Sequence, residues 1–134
     1  MSDPIGDLAT LLRHLEPALH DGVYVYVQLP ADADASRFDA VATVREREGL
    51  TLIVREEDAA RAGLTPLFRA RWITLTVHSD LQAVGLTAAF SRAIADAGIG
   101  CNVIAGAVHD HVFVPAERAE DALAALRALQ SQTS

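Results

Sequence analysis

Hydrophobic and polar residues alternate with two different periods along this chain of 134 residues. Between residues 72 and 78, apolar residues occupy every second position, which predicts a strand with one buried face. Between residues 86 and 97 they recur at intervals of three and four, which predicts an amphipathic helix ending at Gly98. Alternation returns between residues 101 and 115, interrupted by a tight turn, and helical spacing returns over residues 116–129. The second half therefore predicts the order strand, helix, strand, strand, helix.

The first half shows the same periods with weaker signals. Apolar residues from Ile5 to Leu19 recur at helical spacing, and Pro17 is the expected end or kink of this helix. Residues 23–29 alternate as a half-buried strand. Two further strands are predicted at residues 41–46 and 50–55, joined by a hairpin turn at Glu48-Gly49. A short helix follows at residues 57–62.

These elements predict an α+β fold in which helices back antiparallel, ferredoxin-like sheets of βαββαβ order. Thr65-Pro66 is the predicted boundary between an N-terminal half, residues 1–66, and a C-terminal half, residues 67–134. The C-terminal half lacks a predicted final strand, which would leave a sheet edge unpaired. We expect the first half to supply that strand, with residues 23–29 as the candidate, so that the two halves interlock and share sheets.

Composition narrows the classes of function. The net charge of −7 disfavours nucleic-acid and anionic-membrane partners, since both require clustered positive charge. All 11 basic residues are arginine, which excludes Schiff-base chemistry by lysine. The single cysteine, Cys101, cannot form an intramolecular disulfide, and the N-terminal residues show no signal-peptide pattern. We therefore expect a soluble cytoplasmic protein.

The loop between the strand of residues 72–78 and the following helix is the best candidate for a binding site. A helix N-terminus presents free backbone N–H groups and partial positive charge, which suits a carboxylate. Gly85 would let a ligand approach the backbone closely, and Asn102 on a neighbouring strand offers hydrogen-bond donors and acceptors. The alternative is that Ser79 or Asp80 merely caps the helix and Gly85 merely turns the chain.

The segment of residues 80–106, DLQAVGLTAAFSRAIADAGIGCNVIAG, resembles the ACT domains, which are small regulatory modules that bind amino acids. The regulatory domains of aspartate kinases carry similar segments, and most of the chain is similar to a stand-alone bacterial family of ACT-like proteins. Four segments carry this resemblance: EGLTLIV (residues 48–54), VGLTAA (residues 84–89), CNV (residues 101–103) and HDHVFVP (residues 109–115). In ACT domains a glycine in the strand-to-helix loop is the hallmark, here matched by Gly85, and effectors bind near it between two ACT units.

The resemblance implies a regulatory protein that binds an amino acid or similar small molecule and signals through a homodimer or a protein partner. The ligand carboxylate would lie on the backbone N–H groups of residues 85–87, and its ammonium group would meet Asn102 and either Glu48 or Asp80. The predicted ligand-binding residues are Glu48, Asp80, Leu81, Val84, Gly85, Leu86, Thr87, Asn102, Val103 and Ile104. The resemblance implies neither a cofactor nor an enzymatic activity.

Two other functions stay open from the sequence. His109-Asp110-His111 would place both imidazoles on one side if extended, which suits a small metal-dependent enzyme with His78 or Glu48 as a further ligand. A turn there would break that geometry, and the histidines would then hydrogen-bond locally or line the pocket, with Asp110 making the turn. The other alternative is a structural interaction module that binds no ligand. Cys101 begins an apolar strand and is expected to be inert packing.

Overall fold

A computed structural model describes residues 3–133 of the chain, which form two compact units. Residues up to His20 and from Trp72 onward form the discontinuous unit, and Asp21–Arg71 form the inserted unit. These limits differ from the predicted halves, residues 1–66 and 67–134, because residues 3–20 group with the C-terminal part of the chain. The expected α+β fold with antiparallel, ferredoxin-like sheets is confirmed.

The helices and strands follow one another in the predicted order from the first hairpin onward. In chain order they are α1 (Leu8–Arg13), β1 (Pro17–Leu19), β2 (Tyr24–Leu29), β3 (Ala42–Arg45), β4 (Leu50–Arg55), α2 (Glu56–Arg61), β5 (Phe68–Leu75), α3 (Leu86–Asp96), β6 (Asn102–Ala105), β7 (Asp110–Pro115) and α4 (Ala119–Gln132). A single 3₁₀ turn, Ala116–Arg118, precedes α4. Within residues 3–133, none of the helices combines the length and the apolar character needed to cross a membrane.

In the discontinuous unit the strand order is β1-β5-β7-β6. Strand β1 pairs antiparallel with β5, with Pro17 opposite Leu75 and Leu19 opposite Ile73. The first half thus supplies the final strand, as expected, but that strand is β1, while residues 23–29 pair with β5 only at its first residues. Those residues are engaged as β2 in the inserted unit. The first helix is also shorter than predicted, because it ends at Arg13 and Pro17 begins a strand.

A buried apolar cluster between the helices and the sheet stabilises the discontinuous unit. Its fully buried side chains include Leu11 and Leu15 from the N-terminal segment. The other buried members come from β5, α3, β7, α4 and the segments between them: Ile73, Leu75, Val77, Leu86, Phe90, Ile94, Ile99, Val112, Val114, Ala119, Ala122, Leu123 and Leu126. Burying a leucine stabilises a fold by about 1.5–3 kcal/mol, so the N-terminal segment contributes substantially to this core.

In the inserted unit the strand order is β3-β4-β2-β5, with the first residues of β5 opposite β2. The predicted hairpin around Glu48-Gly49 is confirmed, since β3 and β4 pair antiparallel on either side of it. Helix α2 carries acidic residues in its first turn and Arg61 in its last, which complements the helix dipole. The core of this unit is a separate apolar cluster: Val25, Val27, Leu29, Leu50, Leu52, Val54 and Ala59.

Candidate functional site

A small cleft of about 60 Å³ lies in the discontinuous unit, where β5 leads into α3. Its wall combines the loop after β5, the first turn of α3, the end of β6 and the start of β7. The lining residues are Ser79, Asp80, Leu81, Ala83, Leu86, Thr87, Ala105 and Asp110. Four of these, Asp80, Leu81, Leu86 and Thr87, belong to the predicted ligand-binding set. The structure therefore places a concave surface at the predicted loop.

The N-terminus of α3 begins at this cleft without a side-chain cap. The N-cap residue is Gly85, and no side chain accepts a hydrogen bond from the first turn. The hydroxyl of Ser79 instead donates to Oδ2 of Asp110 over 3.4 Å. The carboxylate of Asp80 accepts from the backbone N–H of Gln82 at 2.9 Å, within its own loop. Neither of the two expected capping residues caps the helix, so its first N–H groups stay available to an anion.

Gly85 has a backbone conformation that favours glycine. Its φ is +99°, in the left-handed region where a Cβ is unfavourable. A Cβ built on Gly85 would also lie 3.1 Å from Cδ2 of Leu8, which is tighter than ordinary van der Waals contact. The turn into α3 and the close approach of α1 therefore both depend on this glycine.

Asp110 is a buried carboxylate in the wall of the cleft that the sequence did not assign to the ligand site. It is the first residue of β7 and only 7% exposed. Burial raises the pKa of Asp110, while the Ser79 hydroxyl and the neighbouring His111 and His109 lower it in part. Asp110 alternates with the buried Val112 and Val114 along β7, but alternation alone does not show that this position lies in the wall of a cleft.

Several predicted ligand-binding residues lie away from the cleft lining. Val84 is 85% exposed. Asn102 is exposed at the start of β6. The next two residues of this strand, Val103 and Ile104, are half-buried, and Val103 packs against the apolar core. Of this strand, Ala105 rather than these three residues lines the cleft. Glu48 is exposed in the β3–β4 turn of the inserted unit.

The triplet His109-Asp110-His111 does not assemble a metal centre. The ring of His109 places Nδ1 3.3 Å from the carbonyl oxygen of Val77, and Nδ1 of His111 accepts a hydrogen bond from Nε1 of Trp72 at 3.0 Å. Across residues 3–133, no group of three or more His, Cys, Asp or Glu side chains could hold a metal ion. The prediction of local hydrogen bonds was wrong, because both histidines pair with residues more than thirty positions away, and Asp110 begins a strand and does not make the turn.

A second polar cluster, formed by His20, Trp72, Thr74 and His111, lies outside the cleft. The hydroxyl oxygen of Thr74 is 2.7 Å from Nε2 of His20 and 3.1 Å from Nδ1 of His111. The ring of His20 stacks on the indole of Trp72 at a centroid distance of 3.5 Å. Burial lowers the pKa of His111, and His109 adds to this effect while Asp110 opposes it. The cluster therefore favours a neutral imidazole at position 111.

Cys101 immediately precedes β6 and is half-buried against the apolar core. Burial raises the pKa of its thiol. A thiol with a raised pKa is mostly protonated at neutral pH and is a poor nucleophile. The expectation that Cys101 serves as packing is consistent with this environment.

Comparison with known proteins shows which family shares this architecture. Two models described as ACT domain match the chain, one over residues 3–71 and the other over residues 67–128. A protein of unknown function from Vibrio cholerae, described as a possible transport protein, is 47% identical with a TM-score of 0.82, over 92% of this chain and 95% of that chain. None of the curated proteins matches the chain.

The regulatory subunits of aspartate kinase from two Thermus species share the fold at low identity. The subunit from Thermus thermophilus, in its ligand-free form, is 18% identical with a TM-score of 0.61. The subunit from Thermus flavus is 16% identical with a TM-score of 0.60. Each comparison covers 84% of this chain and 95% of the other chain. At these identities the similarity establishes the shared fold.

Proposed function

The chain belongs to the ACT-domain family, and we propose that it is a regulatory protein that binds an amino acid in the cleft at the N-terminus of α3. Family membership supports a regulatory role, because ACT domains are regulatory modules. The position of the cleft supports the ligand class, because residues on both sides of the hallmark glycine, Gly85, line it while Gly85 itself does not. We include a cytoplasmic location and a homodimeric assembly in the proposal.

The observation that carries the proposal is the uncapped start of α3 in the wall of the cleft. A carboxylate placed there would accept hydrogen bonds from backbone N–H groups of the first turn and would interact favourably with the helix dipole. The apolar part of the lining, which would contact the ligand's side chain, comes from Leu81, Ala83, Leu86 and Ala105. All amino acids carry an α-carboxylate, and those with small apolar side chains match the rest of this lining.

Signalling would use the exposed apolar side chains beside the cleft. Leu81 is 65% exposed and Val84 is 85% exposed, and both lie in the loop that leads into α3. A second copy of the chain covering this loop would remove their apolar surface from water. A ligand held by the same loop would then bind the paired and unpaired states with different affinity, which is what allosteric coupling requires.

Thermal unfolding with each of the twenty amino acids, singly at millimolar concentration, tests the proposal. A ligand present at a hundred times its Kd stabilises the fold by about 2.7 kcal/mol, or roughly 5 to 15 °C for a chain of this size. We expect one or a few amino acids to give such a shift. Unchanged unfolding with all twenty would contradict amino-acid binding.

Two matched variants locate the site. Thr87→Glu places a carboxylate in the first turn of α3, where it competes with the ligand's carboxylate while its charge suits the helix dipole. We expect this variant to fold with unchanged or slightly raised Tm and to lose the ligand-induced shift. Ala95→Glu adds the same charge at an exposed position later in α3 and should keep the shift. Equal shifts in both variants would place the ligand elsewhere.

A structural interaction module is the second candidate, favoured by the exposed side chains of Leu8, Leu81, Val84 and Val108. In that case the loop that leads into α3, with its exposed Leu81 and Val84, would serve only to pair subunits. The two functions differ in one result, because a purely structural module would show an oligomeric state and a Tm that no amino acid changes. Sedimentation velocity with and without the amino-acid mixture makes this distinction.

A further inference from the structure

Asp110 combines burial with a position in the cleft wall. Its side chain is 7% exposed, yet it lines the cleft together with the first turn of α3. Removing a carboxylate from water is unfavourable unless a charge or several hydrogen bonds compensate it. An acidic side chain in this environment therefore requires a compensating partner or a functional reason.

The surroundings of Asp110 compensate its charge only weakly. Among residues 3–133 its hydrogen-bond partner is the hydroxyl of Ser79, at the long distance of 3.4 Å from Oδ2. No ion pair within those residues involves Asp110. The adjacent histidines direct Nδ1 elsewhere, His109 towards the carbonyl of Val77 and His111 towards the indole of Trp72. The other carboxylate of the cleft, Asp80, is exposed and accepts from Gln82.

The cleft thus presents two opposite polarities to one small ligand. The start of α3 provides backbone N–H groups and partial positive charge, and Asp110 provides a buried negative charge. On the basis of the function proposed above, we propose that Asp110 accepts the ligand's ammonium group, so that the cleft selects zwitterionic amino acids over carboxylic acids that lack this group. Asp110 is then a specificity-determining residue, in place of Asn102, Glu48 or Asp80.

The physical basis of this selection is the cost of leaving Asp110 without a cation. A carboxylic acid without an ammonium group would bring its negative charge towards Asp110 and leave that carboxylate uncompensated. An amino acid brings its own counter-charge and makes a charge-assisted hydrogen bond in a partly desolvated site. The difference in binding free energy between the amino acid and the carboxylic acid without an ammonium group should exceed the contribution of one neutral hydrogen bond.

Three probes separate the two ends of the ligand in wild-type protein. They are the amino acid that stabilises most in the series of twenty, its analogue lacking the amino group, and its carboxamide, which lacks the carboxylate. For alanine the analogues are propionate and alaninamide. We expect the analogue lacking the amino group to bind at least tenfold more weakly than the amino acid. Equal binding of this analogue would overturn the role of Asp110 without touching the proposed cleft.

Asp110→Asn provides the second arm, because asparagine keeps the size and the acceptor for Ser79 but removes the charge. We expect its affinity for the amino acid to fall at least tenfold and its preference over the analogue lacking the amino group to disappear. Asp96→Asn makes the same change at an exposed carboxylate at the end of α3, outside the cleft, and should retain both. Unchanged affinity and preference in Asp110→Asn would overturn the proposal.

The experiments distinguish a failure of the proposed amino-acid site from a failure of the proposed role of Asp110. If no amino acid shifts the Tm of the wild type, the proposed function and this inference both fall. A different result would contradict the role of Asp110 alone. In that case the amino acid and its analogue lacking the amino group would bind equally well, while the carboxamide would not bind. The ligand carboxylate would then still lie at the start of α3. Should Asp110→Asn not fold, the comparison of the three probes on wild-type protein decides alone.

Discussion

The indole nitrogen of Trp72 donates a hydrogen bond to Nδ1 of His111 over 3.0 Å. An indole N–H can only donate, so Nδ1 of His111 must be the acceptor and the imidazole must be unprotonated at that atom. Protonating Nδ1 would place two donors against each other. The neutral ring of His111 is therefore part of the folded structure.

We predict that His111 makes the fold less stable in mild acid. Its pKa is lowered, chiefly by burial, so below the unfolded value of about 6.5 the unfolded chain binds a proton that the folded chain resists. The unfolding free energy should fall as the pH drops from 7.5 to 5.5. His111→Asn keeps an acceptor near Nδ1 and does not titrate, so its stability should depend less steeply on pH. Urea unfolding followed by the fluorescence of Trp72, the single tryptophan, measures this; identical pH profiles would contradict it.

We predict that Asp110→Asn stabilises the ligand-free protein at neutral pH. Burial raises the pKa of Asp110, so as the pH rises above about 3.9 the unfolded chain releases this proton before the folded chain does. Wild type should therefore lose stability relative to the variant as the pH rises from 4 towards neutrality. Denaturation at pH 4 and pH 7 checks the sign, and a residue retained for binding at a cost in stability is expected to behave this way. A less stable variant at pH 7 would show that the charge itself stabilises the fold.

We predict that Gly85→Ala destabilises the protein by about 1–2 kcal/mol, because φ is +99° and the new Cβ would lie 3.1 Å from Leu8. Gly100→Ala is the control, since a Cβ there meets no atom within 4 Å, and its effect should stay within about 0.5 kcal/mol. Adding Leu8→Ala to Gly85→Ala removes the contact but not the backbone strain. Full recovery in that double variant, corrected for Leu8→Ala alone, would exclude the conformational explanation.

We predict that Gln130→Ala destabilises the discontinuous unit by about 1–3 kcal/mol. The amide of Gln130 accepts from the N–H of Glu16 at 2.9 Å and donates to the carbonyl of Arg13 at 2.9 Å. These two hydrogen bonds connect α4 to the turn between α1 and β1, where Glu16 has a φ of +47°. Gln132→Ala, exposed two residues later in α4, should have little effect. Equal unfolding free energies for the two variants would show that this connection is dispensable.

We predict that residues 67–134 do not fold alone. The fragment lacks β1, which pairs with β5, and it lacks the fully buried side chains of Leu11 and Leu15. Its thermal unfolding, followed by circular dichroism, should show no cooperative transition. A peptide of residues 3–20 added in excess should restore one. A cooperative transition of the fragment by itself would show that the N-terminal segment is not required.

The elements predicted most accurately are those with a complete local signal. Helix α3 shows several turns of apolar periodicity with a glycine at each end, and its bounds follow from that pattern. Strand β1 has only three residues, too few for alternation to appear, and its Leu19 continues the apolar spacing of the preceding helix. The apolar pattern therefore predicts a first helix that continues through the residues of β1, and it leaves residues 23–29 as the candidate for the missing strand.

By itself, the sequence determined the ferredoxin-like order of elements and the loop around Gly85, because periodicity, turn residues and glycine conformation act between near neighbours in the chain. Only the tertiary structure decided that β1 completes the sheet and that Asp110 is buried in the cleft wall. Both depend on residues more than thirty positions apart: β1 lies opposite β5, and Asp110 lies against Ser79. The free energy of such contacts comes from packing and desolvation, which no local pattern records.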